Sequence, residues 1–230
     1  SAGAVITLNR PSYKSVVELG IPRHNIHITP NYVTFEDEIQ PIAKHAENES
    51  QIVTFVGSLI KAKGVYTIVE VAKLIPWLEF NLIGNADRKS REELLKYIRK
   101  AGLNNQVHIL GEKSHCDVID ALSKSAVFIF PSEHEGFPIS VAEAMVVGLP
   151  ILASPVGAIP EMIDAPKGGY LISLRDVAGY VDALKILMEN PSIRTDMGKY
   201  NREKARLRFD YLAVVDQLCS IYGKAIKLQQ

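Results

Sequence analysis

The sequence predicts an α/β fold, a doubly wound parallel sheet of about six strands followed by C-terminal helices. Two observations predict it. From Gln51 onward, short apolar runs rich in β-branched and aromatic residues alternate with segments of helical periodicity, the pattern in which a helix returns each strand to the same sheet. Several of these runs end in glycine, at Gly57, Gly84 and Gly111, where the backbone admits the close approach of a ligand or another turn. A sheet wound in this Rossmann-like way gathers ligands at the carboxyl ends of its strands.

Residues 1–31 read as a strand (AVITLN), a helix (PSYKSVVELG) and a strand (NIHITPN). Pro11 suits the first helical turn and Gly20 the position after the last. An opening strand with nothing before it is expected to be the last βα unit of a preceding domain. Residues 32–50 carry five acidic side chains against one lysine, with Pro41, and are expected to link two domains. The regular domain is expected over residues 51–190. Its strands are placed at Ile52–Gly57, Phe80–Gly84, Val107–Gly111, Val127–Pro131, Ile151–Ser154 and Tyr170–Ser173, and the intervening helices at Val65–Leu74, Lys89–Lys100, Cys116–Ser123, Pro138–Val147 and Ile159–Asp164. The tail from Asp176 reads as three helices, the last of them in residues 191–230. In NREKARLRF, Asn201–Phe209, the charges are expected to form a wet helical face.

The 26 basic and 26 acidic residues balance, so no global field draws the chain to nucleic acid or to a membrane surface. Cys116 and Cys219 are too far apart in sequence to suggest a disulfide framework or a metal cluster. No apolar run approaches the roughly 18 residues of a membrane span. These features lead to the expectation of a cytoplasmic protein, peripheral at the inner face of a membrane only through a domain not in this sequence.

Chemistry concentrates in SEHEGFPISVAEAM, Ser132–Met145, between the strand AVFIFP and a helix running to Gly148. Pro138 favours a helix start there, because its fixed φ suits the first turn and its missing N–H would be an orphan anyway. The N–H groups of Phe137, Ile139 and Ser140, with the positive end of the helix dipole, then form a seat for an anion. Glu135 precedes that seat and Glu143 follows it, so a phosphate site flanked by two hydroxyl-binding carboxylates is expected. Glu143 stands among Val141, Ala142, Ala144 and Met145, and a carboxylate in so apolar a segment needs a partner. Upstream, Lys61 and Lys63 occupy the turn after Gly57 and Ser58, where an ammonium beside a helix start can clamp phosphate.

The run from Glu135 to Glu143 resembles the E-x7-E signature of retaining GT-B glycosyltransferases, in particular the glycosyltransferase family 4, "glycosyl transferases group 1" type. GLPILASPVGAIPEMI, Gly148–Ile163, and FVGSLIKAKG, Phe55–Gly64, extend the likeness over about the last four-fifths of the sequence, as the C-terminal, donor-binding domain. The resemblance implies a UDP-, GDP- or ADP-sugar donor, an acceptor hydroxyl, retention by front-face attack, and neither a metal nor another cofactor. It assigns Glu135 to the donor sugar and Glu143 to the ribose. It also gives Lys63, with the amides after Gly136, to the leaving diphosphate, making Glu135 and Lys63 the catalytic pair. The remaining donor contacts fall at Gly57, Ser58, Lys61, Gly84, Glu112, Lys113, Gly136, Phe137, Pro138, Ile139 and Ser140. Ser58 stands where the family usually has arginine, and Lys61 is the expected substitute, though as a point charge it lacks the guanidinium fork. His115 is expected simply to start a helix, with no carboxylate to orient it. The acceptor site would belong to an N-terminal domain or a partner subunit. Two other readings fit the same architecture: a sugar-nucleotide epimerase, against which the E-x7-E spacing argues, and a non-catalytic nucleotide-sugar-binding subunit of a split transferase.

Overall fold

The computed structural model describes residues 3–34 and 50–227. The expected link at 32–50 therefore lies almost wholly outside the described residues.

The N-terminal unit is β1 (Val5–Thr7), α1 (Arg10–Glu18) and β2 (Ile26–Ile28), with β1 and β2 parallel. Asn9 caps α1 by accepting from the Ser12 N–H, and Pro11 lies in its first turn.

The larger sheet comprises β3 (Ile52–Val56), β4 (Glu79–Ile83), β5 (Val107–Gly111), β6 (Val127–Phe130), β7 (Ile151–Ala153) and β8 (Gly169–Leu171). Its order is β5-β4-β3-β6-β7-β8, parallel throughout. The expected six strands are therefore all present, most of them a residue or two shorter at the carboxyl end. The chain winds outward from β3 to β5, returns to the centre, and winds the other way through β6, β7 and β8. The reversal falls between β3 and β6, the point where such sheets bind ligands. Here the ladder is short: β3 pairs with β4 at five positions but with β6 only at Val53–Val127 and Thr54–Phe128. Beyond those residues the two strands do not pair with each other, and a doubly wound sheet has its ligand crevice at such a reversal.

Helices cover both faces. The connecting helices are α2 (Val65–Leu74), α3 (Arg88–Lys100), α4 (His115–Ser123), α5 (Ile139–Val147) and α6 (Ile159–Met162). The three expected tail helices follow as α7 (Val177–Glu189), α8 (Pro191–Phe209) and α9 (Tyr211–Lys227). α7 packs beside α2, whereas α4 and α8 pack on α5. The sequence explains why α5 sits at the centre: Val141, Ala142, Ala144, Met145, Val146 and Val147 are all buried, so the helix is apolar nearly all round and must be enclosed. Phe55 stacks on Phe130 across the sheet at 5.5 Å between ring centroids.

The wet face expected at Asn201–Phe209 is only half right. Asn201, Ala205 and Phe209 are buried, Arg202 and Lys204 are half-buried, and Glu203, Arg206 and Arg208 are exposed. Asn201 donates through Nδ2 to the carbonyls of Leu149 (2.8 Å) and Gly168 (2.7 Å), tying α8 to the end of α5 and the entry to β8. At the other end of α8, the Val33 N–H donates to the Phe209 carbonyl at 2.8 Å.

Candidate active site at the sheet reversal

The carboxyl ends of β5, β4 and β3 are stitched side by side: Gly84 N–H donates to the Gly111 carbonyl and Gly57 N–H to that of Ile83, each at 2.9 Å. This brings Gly57, Ser58, Gly84, Glu112 and Lys113 onto one rim. Ser58, Glu112 and Lys113 are exposed there.

After β3 the chain makes a 3-10 turn, Lys61–Lys63, and enters α2 through Gly64 in the left-handed region. Only glycine fits at Gly64. A Cβ would lie 2.1 Å from the Pro131 carbonyl oxygen, because this turn is seated directly on the end of β6. The Glu133 N–H donates to the Ala62 carbonyl at 2.8 Å, closing the contact from the other side. Lys63 is thereby delivered to Glu135, with Nζ 2.6 Å from Oε1. The Glu135 side chain is 8% exposed and that of Lys63 25%.

The loop holding Glu135 is pinned from beneath. Gly157, with φ +57°, lies so close that a Cβ would fall 2.0 Å from the Glu135 carbonyl oxygen. The Gly136 carbonyl accepts from the Ala158 N–H (3.0 Å) and from Asn9 Nδ2 (2.8 Å), so the N-terminal unit touches the loop through a buried amide. Phe137 turns inward, edge-on to Phe209 at 5.3 Å between centroids. Pro138 is the residue before the helix rather than its first member, one position from the expectation. The Pro138 carbonyl accepts from Val141 and Ala142. The N–H groups of Phe137, Ile139 and Ser140 have no acceptor among the described residues, as the exposed start of a helix requires. The donors of the expected anion seat are thus open, with Ile139 half-exposed at its mouth.

Glu143 has the partner its apolar surroundings demand, and it is His115: Nδ1 lies 3.2 Å from Glu143 Oε1. Burial pushes the Glu143 carboxyl above the usual carboxylate range, and the charge and hydrogen bonding of His115 oppose that rise. His115 does start α4, behind the cap of Ser114, which accepts from the Asp117 N–H. The expectation that no carboxylate orients it is corrected, because α4 packs against α5. Ser114 and Asp117 formed a readable capping signal. Nothing local linked His115 to Glu143, 28 positions further on in another helix.

Lys61 lines a cavity of about 450 Å³ with Tyr66, Ser90, Glu93 and Tyr97, and its charge reaches Glu133, two residues before Glu135. A cation that sequence reasoning missed also stands on this rim. Arg175 donates to Glu133 Oε1 from Nε (3.0 Å) and from Nη2 (2.7 Å), and holds that carboxyl below its usual range. Arg175 has φ +62°, a conformation that disfavours any residue but glycine and, less so, asparagine or aspartate, so no sequence rule would place an arginine there.

The geometry therefore sets the Lys63–Glu135 pair at the loop before the helix start and the His115–Glu143 pair one turn into that helix. The family model described as glycosyl transferases group 1 matches residues 36–204. Among proteins of known activity, the chain is 26% identical over 217 residues to N-acetyl-alpha-D-glucosaminyl L-malate synthase of Bacillus anthracis, covering 91% of this chain and 56% of that one. It is 31% identical over 175 residues to 2-deoxystreptamine N-acetyl-D-glucosaminyltransferase of Niallia circulans, covering 74% and 44%. The chain spans about half the length of these relatives. Among solved structures, Anabaena HepE in complex with UDP superposes with a TM-score of 0.87 at 18% identity, over 96% of this chain and 64% of that one. Sucrose-phosphate synthase from Thermosynechococcus elongatus superposes at 0.86 with 22% identity, over 98% and 59%. At such identities the superpositions speak to fold alone.

Proposed function

The chain belongs to the glycosyl transferases group 1 family, and from that premise we propose that it is the donor-binding part of a retaining, metal-independent glycosyltransferase. It holds a nucleoside-diphosphate sugar while a domain or subunit outside this sequence presents the acceptor hydroxyl. One observation carries the reading: Lys63 and Glu135, 72 positions apart, meet at 2.6 Å beside the open start of α5, where the sheet reverses.

The residues divide the work. The α5 amides and Lys63 take the diphosphate and the negative charge that grows on it as the glycosidic bond breaks. Preorganised donors of this kind are typically the largest catalytic contribution, with one donor often supplying about 10² to 10³ in rate. Glu135 accepts hydroxyls of the donor sugar and Glu143 those of the ribose. Gly57, Gly84 and the main chain near Glu112 and Lys113 lie where the nucleoside would rest on the rim. The UDP in complex with HepE supports a nucleotide ligand for this architecture.

Calorimetric titration with UDP-, GDP- and ADP-sugars tests the reading. Binding of one nucleotide class is expected, weakened at least tenfold by either Glu135→Ala or Lys63→Ala. Absence of binding across the panel would overturn it, and so would brisk sugar transfer by the chain alone.

A further inference from the structure

We propose that His115 is a positioning residue for the nucleoside: it holds one oxygen of Glu143, leaving the other to receive the ribose hydroxyls. This inference rests on the nucleotide reading of the crevice.

The geometry supports it from both sides. Glu143 is the one residue from Val141 to Val147 that is not fully buried, so its carboxylate lies where the enclosed helix meets the crevice. Its side chain is 15% exposed, and Oε1 faces His115 Nδ1 at 3.2 Å. Among the described residues, no other side chain forms an ion pair with it. A carboxylate with one oxygen tied down has its plane and its remaining lone pairs fixed, the arrangement a vicinal diol needs to donate into. His115 in turn is held by its own element, since Ser114 and Asp117 bond reciprocally around the first turn of α4.

The charged groups around the pair are few. β6 and β7 carry none. α4 contributes His115 and Asp117, the latter engaged with Ser114. α8 presents Asn201, Ala205 and Phe209 to the interior, its Lys204 is held by Asp164, and Arg202 feels the charge of Arg206. The loop before α5 brings Lys63 and Glu135, which neutralise each other. Burial raises the Glu143 carboxyl most, and His115 is the group that opposes it.

A sharp consequence concerns pH. Binding that needs the Glu143 anion is present above its titration midpoint and lost as pH falls through it. Without His115, burial acts unopposed and the midpoint moves up. UDP, GDP and ADP are titrated in turn into wild type, His115→Ala and His115→Gln between about pH 5 and pH 8, with Glu143 followed separately by carboxyl ¹³C NMR in the unliganded protein. The alanine variant is expected to move the acid limb of nucleotide affinity to higher pH, losing roughly tenfold affinity on that limb for each unit of displacement and little on the alkaline plateau. The glutamine variant, which keeps an N–H donor, recovers part of the shift. A uniform loss at all pH values, or a Glu143 midpoint identical in wild type and alanine variant, would overturn the proposal. If no nucleotide binds wild type, the donor-site reading is overturned and the role of His115 with it, while the NMR titration still shows whether the pair exists.

Discussion

At the residue scale, the pair Lys63–Glu135 is a structural contact and, on the proposed reading, a functional one, and the two roles separate by substitution. Taking one partner from a fully buried ion pair costs about 3–5 kcal/mol, because the other is left uncompensated. With Lys63 a quarter exposed, water reaches the site, and the loss for Lys63→Ala is expected to be about 1–3 kcal/mol. The double variant Lys63→Met, Glu135→Leu removes both charges and should recover most of that stability in urea denaturation while binding no nucleotide. Were the double variant as unstable as the sum of the single ones, the ion pair would not be the source of the loss. None of this was legible as a contact in the sequence, where Lys63 and Glu135 were two separate motif members. What was legible was the residue type each position needed.

At the scale of elements, the strands and helices were readable almost to their ends because the two periodicities change over at glycines and prolines. α2 is observed over the very residues the pattern gave, Val65–Leu74, since Gly64 must precede it and Pro76 forces Ile75 out of the helical region. α8 shows where the reading failed. Its charged residues concealed a buried edge, because Asn201 looks like a surface residue in sequence and only its two distant carbonyl partners make it an interior one. Asn201→Ala strands the Leu149 carbonyl, whereas that of Gly168 keeps the Ile151 N–H at 3.1 Å. It is expected to cost about 2–3 kcal/mol, as two lost hydrogen bonds and one desolvated acceptor, seen as a lower urea midpoint at unchanged slope. A cost within experimental error would mean α8 is held by its apolar contacts alone. His115 was missed for the same reason as Asn201: helix-to-helix packing puts it beside its partner, and packing has no local signature.

For the whole molecule, pH links these parts. The net charge is zero and the sequence pI about 7.0, so stability near neutrality is governed by individual groups. Glu143 has its value raised by burial. The stability it contributes is complete below the ordinary carboxyl range and is lost as pH rises through its higher folded value. Asp164 is the opposite case, its value lowered by Lys204 and Tyr200. Its contribution is present above the ordinary range and lost as pH falls through the depressed value. Glu143→Gln removes the first effect alone. It should match wild type in thermal melting at about pH 4 and exceed it at about pH 8, while losing nucleotide affinity; a variant less stable than wild type at the higher pH would show that the ionised carboxylate stabilises the fold. The parallel, doubly wound sheet followed from the βα alternation, whereas the rim cation Arg175 did not, since its backbone conformation contradicts local preference.

The closed contact between Lys63 and Glu135 has one more consequence, for discrimination. An ammonium already neutralised at 2.6 Å exerts little pull on a passing inorganic ion, and free phosphate would have to break the contact while giving Glu135 nothing in return. A guest carrying hydroxyls alongside its charge would replace both halves together, so on the proposed reading the resting site would screen out simple salts of the cell and open to molecules that join a sugar to a diphosphate.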